Sequence, residues 1–423
     1  MTIKFARMKR FLFISTAICL LTACTSDESQ QERGQIAYSK SIAFDCYLGN
    51  TAVTRAMNGN MTTDELKQAG FGVYGYYTET ADYASNLKPN FMCNEKIYWS
   101  GADSKWNYDN QQFWPNGENN KLSFFAYAPY VESAENEGII SLPSNSVASD
   151  PVIGYKMGTG SNVDLLWGTN EEGKTYQDSP YKLNIDMTKQ GISDRIHFAF
   201  KHTLANVAGA PGCLKVLLDV DAIRNSITEG ASLAGFDTNK TKVTLKSVTI
   251  RNASDTGAPV TSGTFNLATG QWTLGTETGS FEYTFSTATS GLLNSAIAEP
   301  SSVSSWSDIS DVDGITLSPQ DVISSSAAAS MPLIAFIPGQ APKISVTADY
   351  YIRTSDSKLD RGFSELHQVI TNEVSLPTLQ MNSKYTLYIH LGLTSVKFSA
   401  AVDAWDGSSS TVSEPIDLPS NVE

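Results

Sequence analysis

The chain has 423 residues, 41% hydrophobic and 10% aromatic, with a formal net charge of −14. That is ample apolar material for folded cores and carries a soft expectation of two domains. An acidic balance with no basic patch argues against nucleic acid or anionic lipid headgroups as partners.

Met8 to Cys24 reads as an export signal. Lys4, Arg7, Lys9 and Arg10 precede an apolar run, Phe11 to Leu21, and no acidic residue comes before Asp27. The run is too short to span a bilayer, which takes about 20 helical residues, so a cleaved secretion signal over 1–23 is expected. Leu21-Thr22-Ala23-Cys24 resembles the lipobox of bacterial lipoproteins, in which the cysteine is acylated on sulfur and amine. Two or more acyl chains hold stably at roughly 0.8 kcal/mol per buried methylene, so Cys24 is the expected outer-membrane anchor. Loss of residues 1–23 takes the net charge from −14 to −18. Residues 24–40, beginning with the acidic Thr25-Ser-Asp-Glu28, read as a tether.

Ile42, Phe44 and Cys46 alternate within 41–55 and mark a strand. Thr62 and Glu65 fit a capping box and Gly70 a stop, giving a helix of about two turns. Phe71–Tyr77 is apolar on both faces and reads as an internal strand. Aromatic residues then crowd a turn-rich stretch, Tyr98-Trp99, Trp106-Asn-Tyr108 and Phe113-Trp114-Pro115. Lys121–Pro129 and Asp164–Gly168 are further strands. From Arg195, Ile196, Phe198 and Phe200 share one face, with His197 and Lys201 opposite. Leu214, Val216 and Leu218 repeat the pattern. Lys242–Arg251 alternates but changes phase near Ser247, where a bulge is expected. Thr264–Leu267 and Gln271–Leu274 flank Ala-Thr-Gly as a hairpin. Ile344, Val346, Ala348, Tyr350 and Ile352 hold period two. Tyr385–Leu393 and Val396–Val402 form a final strand pair. The stretches 130–150, 169–180 and 301–330 read as surface loops.

The sum is an all-β chain of two antiparallel sandwiches. They divide near residue 190, as 41–190 and 191–410, with a tail over 411–423. Cys46, Cys93 and Cys213 are expected as buried free thiols, with a Cys46–Cys93 bridge as the alternative. None of the four histidines, His197, His202, His367 and His390, stands in metal-ligand spacing. No Gly-x-Ser-x-Gly elbow or complete phosphate loop occurs. The expectation is a protein that is not an enzyme and needs no cofactor or metal. One binding reading stays open: Trp99, Trp106 and Trp114, with Tyr108 and Phe113, would stack on sugar rings if exposed. The chain would then be a monomeric, membrane-anchored glycan-binding lipoprotein. The competing reading of these rings is core packing.

In their order along the chain, several pieces resemble the fimbrillins, the pilus subunits of Bacteroidales. They are Cys24; Thr54-Arg55-Ala56; Phe71-Gly-Val-Tyr-Gly-Tyr; Ile97-Tyr-Trp-Ser-Gly with Trp106 and Phe113-Trp-Pro; and Leu122-Ser-Phe-Phe-Ala-Tyr-Ala-Pro. Asp164-Leu-Leu-Trp-Gly, Phe198-Ala-Phe-Lys-His-Thr-Leu and Tyr385–Trp405 follow. The resemblance implies two transthyretin-like β-sandwich domains and assembly by protease-triggered strand exchange. A trypsin-like protease would cut between Arg55 and Ala56 and remove the first strand, which frees the subunit from its lipid. A strand of another subunit would then refill the groove. The implied partners are other pilus subunits, the outer membrane, and a host or glycan receptor. Only eighteen residues follow Trp405, and Thr411–Leu418 carries Pro415 in its middle. This favours a tip or accessory subunit over a stalk subunit.

Overall fold

The computed structural model describes residues 41–48, 61–115, 120–132, 139–143, 147–157, 162–169, 195–208, 212–219, 240–253, 258–289, 291–309, 314–324, 334–392, 396–405 and 416–417. Cys24, Arg55 and Ala56 lie outside this set.

The fold is all-β. In the first half the strands are β1 (Ala43–Leu48), β2 (Phe71–Tyr77), β3 (Met92–Ser100), β4 (Lys105–Asn107), β5 (Leu122–Ala128), β6 (Ile140–Ser141), β7 (Val152–Lys156), β8 (Leu166–Thr169) and β9 (Arg195–His202). Then come β10 (Ala205–Val207), β11 (Leu214–Leu218), β12 (Thr241–Asn252), β13 (Ser262–Asn266), β14 (Gln271–Leu274), β15 (Glu282–Ser286) and β16 (Gln320–Asp321). The last are β17 (Ala335–Phe336), β18 (Lys343–Ser355), β19 (Phe363–Ser375), β20 (Ser383–Leu391), β21 (Val396–Ala404) and β22 (Ile416–Asp417).

The one α-helix among the described residues, α1 (Thr63–Ala69), carries the expected capping box. The Glu65 amide donates to the Thr62 hydroxyl and Glu65 Oε2 accepts from the Thr62 amide, satisfying two donors that helix geometry leaves unpaired. Gly70 ends the helix at φ 70°. A Cβ there would stand 2.6 Å from the Ile97 carbonyl oxygen, so glycine is required on both counts.

The first sheet has the order β1-β9-β8-β5-β2-β3-β4. Its central strands are buried on both faces, which explains why they lack polar alternation. Phe71, Val73, Phe124 and Ala126 point into one core cluster, while Tyr74, Tyr76, Phe125 and Tyr127 point into another. The second cluster is closed by the four-stranded sheet β14-β13-β7-β6. The remaining sheets, β15-β12-β18-β19 and the one built on β16-β11-β20-β10-β17 with β21 and β22, enclose a third cluster around Leu245, Val346, Tyr350 and Leu387.

The phase change in β12 is a register shift between Leu245 and Ser247. It keeps Val243 and Leu245, then Val248 and Ile250, on the core side.

The halves expected on either side of residue 190 exchange elements. That position lies outside the described residues, but β9, beyond it, lies inside the first sheet between β1 and β8. Strands β6 and β7 pair in one sheet with β13 and β14. Trp167 Nε1 donates to the Leu267 carbonyl and Trp272 Nε1 to that of Thr203. By its contacts Ile42–Glu423 forms one compact unit.

Candidate functional site

The site built most directly from the sequence expectations is the seat of β1. This strand lies at the end of the first sheet and pairs in parallel with β9, from Ala43 opposite Arg195 to Leu48 opposite Phe200. Parallel neighbours cannot be joined by a tight hairpin, and here the whole N-terminal half of the sheet intervenes. The strand is therefore held by its side chains and its ladder rather than by short connections.

Ile42, Phe44 and Leu48 are 1%, 1% and 5% exposed, and Cys46 packs against the same cluster. The Phe44 ring meets Tyr108 and Phe124 edge-on at 5.6 and 5.8 Å and stacks over Phe198 at 6.1 Å. Each such side chain contributes roughly 1.5–3 kcal/mol by leaving water. Burial, and secondarily the Asp45 carboxylate, pushes the Cys46 thiol up from its ordinary value, so this sulfur is inert while the strand is seated. Asp45 and His197 face each other outside, at 3.8 Å.

The start of the strand is clamped from the far end of the sheet. The Ile42 amide donates to the Gln112 carbonyl at 2.8 Å, and the Tyr108 hydroxyl donates to the Ile42 carbonyl at 2.7 Å. The sheet thus curls until the loop after β4 meets β1.

Residues 49–60, which hold Arg55 and Ala56, connect β1 to a second fixed point. The Met61 amide donates to Asp164 Oδ2 at 2.8 Å. His202 Nδ1 lies 2.8 Å from the same oxygen, and the His202 ring stacks on Trp405 at 4.2 Å. Asp164 and His202 are 2% and 4% exposed, so a buried charge-capable pair fixes the chain just past the expected cleavage position. No local sequence motif joins Asp164 to His202. A cue was available, because His202 continues the buried face of Ile196, Phe198 and Phe200.

Of the two readings of the aromatic cluster, core packing holds for Trp106 and Trp114. Trp106 and Trp114 are 6% and 8% exposed and belong to the core cluster beneath β1. Phe71 and Phe124 pack edge-on against them. Trp99 is half-buried, packed edge-on against Trp106 and covered by the Lys67 ammonium at 4.7 Å. These rings do not form a platform. Phe113, at 48%, is exposed. Among the cysteines, Cys46, Cys93 and Cys213 are free, and Cys213 is buried, but Cys93 is exposed rather than buried. Of the expected loops, 130–150 contains β6, 301–330 contains β16 and a 3-10 turn at Trp306–Asp308, and 170–180 lies outside the described residues. Among the described residues no cluster of three or more His, Cys, Asp or Glu suits a metal ion.

Residues 54–210 match the fimbrillin-like family. Fimbrium subunit Fim1C of Phocaeicola vulgatus is 29% identical over 220 residues, 50% of this chain and 52% of that protein. The match thus spans about half the length of the curated relative. A fimbrial protein from Bacteroides vulgatus shares the fold at TM-score 0.57 and 23% identity, over 87% of this chain and 100% of that one. Residues 54–210 are thus similar to the fimbrillin-like family, over the stretch where most of the motif resemblance lies.

Proposed function

We propose that this chain is a pilus subunit or tip adhesin, exported as an outer-membrane lipoprotein through Cys24 and assembled by strand exchange. Cutting between Arg55 and Ala56 removes β1 with its lipid. Without β1, the β9 edge loses its ladder partner, and the rings of Tyr108, Phe124 and Phe198 lose the side chain packed among them. Unpaired strand edges of this kind recruit another strand, and a strand from a second subunit restores both backbone pairing and side-chain burial. Contacts between unlike surfaces propagate as a fibre.

The observation that carries this reading is the attachment of β1: an end-of-sheet strand, buried by its side chains, with Arg55 between it and the fixed Met61. The burial of Trp106 and Trp114 weighs against the glycan-platform alternative. Arg55→Ala tests the release step. We expect the variant to stay lipid-bound and monomeric on the cell surface, read by detergent extraction and native electrophoresis. Normal polymer formation by this variant would remove Arg55 cleavage as the trigger.

A further inference from the structure

Among the described residues, the longest open strand edge lies far along the chain from β1. Strand β19 ends the sheet β15-β12-β18-β19, and among the described residues no strand pairs with its outer edge. It runs for 13 residues, paired to β18 without a register break. The strands ending the other sheet paths are two to six residues long. Proteins ordinarily blunt a long edge with charged side chains, lysine above all, with proline or with a bulge. Phe363–Ser375 has no lysine, proline or bulge, and its carboxylates Glu365 and Glu373 are paired within the chain, to Arg353 and Lys343. Leu366 and Val369 are 44% and 58% exposed, and Leu359 in the turn before the strand is 39% exposed.

We propose that β19 is a docking edge for β19 of a second copy of this chain, in antiparallel register across a two-fold axis at Leu366. The choice of occupant rests on complementarity. In this register Leu366 opposes Leu366, Glu365 opposes His367 twice, and Val369 opposes Phe363 twice. Each facing pair lies on one face of the joined sheet, so a carboxylate meets an imidazole and Leu366 meets its own copy, while Phe363 is already buried within its own subunit. The His367 ring is held in place within its own chain. It stacks on Tyr351 at 4.3 Å, and its Nε2 lies 2.7 Å from Asp349 Oδ1. The Glu365 carboxylate is likewise fixed, by Arg353 Nε at 2.7 Å.

Two other registers fit less well. An axis at Val369 sets Glu365 against Glu373, and like charges directly opposed are destabilising. An axis at Ile370 centres the contact on the less exposed half of the strand, where Asn372 bonds the Val396 carbonyl of β21. Residues 364–367 and 369 are exposed, as is the turn at 356–361, so the half containing Leu366 is the accessible one. The product is a continuous eight-stranded sheet with an isologous interface. This surface is separate from the β1 seat and does not depend on strand exchange.

Sedimentation of the full chain, with Cys93→Ser to remove the exposed thiol, tests the proposal. A concentration-dependent monomer–dimer equilibrium is expected. Leu366→Lys, a change at an exposed position, should raise the dimer dissociation constant at least tenfold (the order of ~1.4 kcal/mol) with an unchanged far-UV spectrum. Under mild oxidation Leu366→Cys should form an intermolecular disulfide. Val369→Cys should not, because its copies stand about 20 Å apart in this register. A chain that stays monomeric at every concentration, or a dimer indifferent to Leu366→Lys, would overturn the proposal. Equal cross-linking through positions 366 and 369 would also overturn it.

Discussion

Strands β1 and β19 both end a sheet, yet they are held in opposite ways. Strand β1 is six residues long, runs parallel to its neighbour, and with the preceding Ile42 places Phe44 and Leu48 in a core. Strand β19 is more than twice as long and antiparallel, and it buries only its two ends, Phe363 and Val374. It is held by its long ladder and by side chains on the outer face. There Arg353 bridges Glu365 and Glu299, Thr347 bonds Thr371, and Lys343 pairs with Glu373. Side-chain burial makes the seat of β1 valuable and therefore worth refilling once empty. A backbone ladder with an open far side makes β19 extendable without losing anything. One edge suits replacement and the other suits addition.

Substitutions separate the two modes by size. Phe44→Ala should have the largest effect, about 3–5 kcal/mol from lost burial and the residual cavity. It should appear as a lower denaturation midpoint of the uncleaved chain. A loss under 1 kcal/mol would mean that β1 does not depend on its side chains. Arg353→Met comes next. It strips the partner from two carboxylates, Glu299 and Glu365, that are partly shielded from water, and truncating one member of a buried ionic group costs up to about 3–5 kcal/mol. Their 20% and 28% side-chain exposure places the expected loss at the lower end or below, again read by denaturant titration. Tyr108→Phe removes the hydroxyl that clamps the Ile42 carbonyl and should cost about 0.5–1.5 kcal/mol, with faster amide exchange at the start of β1. Val369→Ala, on the open face of β19, should change monomer stability by no more than about 0.5 kcal/mol. A larger change would show that β19 is packed as β1 is.

Many of the fold's local elements were legible in the chain, and where the contrast between these edges was not, the reason is physical. Local signals carried through: the Thr62–Glu65 box, the Gly70 stop, the bulge near Ser247, and the alternation of Ile196, Phe198 and Phe200. Each depends on residues within one turn or one strand. The parallel pairing of β1 with β9 leaves no local mark, because the partners are far apart in sequence and linked through most of a sheet. Trp106 and Trp114 left two readings open because aromatic density is the same in a core as on a binding platform. Only the surrounding Phe71 and Phe124 decide between them. Strand β19 was missed altogether: Ser-Glu-Leu-His-Gln-Val-Ile-Thr-Asn-Glu shows no period because neither face of its middle is deeply buried. The Asp164–His202 pair was hidden for the converse reason, two polar residues on faces otherwise read as apolar.

The most direct test of the account is the N-terminal mass of the protein recovered from native cell surfaces. A terminus at Ala56 is predicted, with β1 and the lipid gone. A lipidated Cys24 at the head of every copy would contradict it.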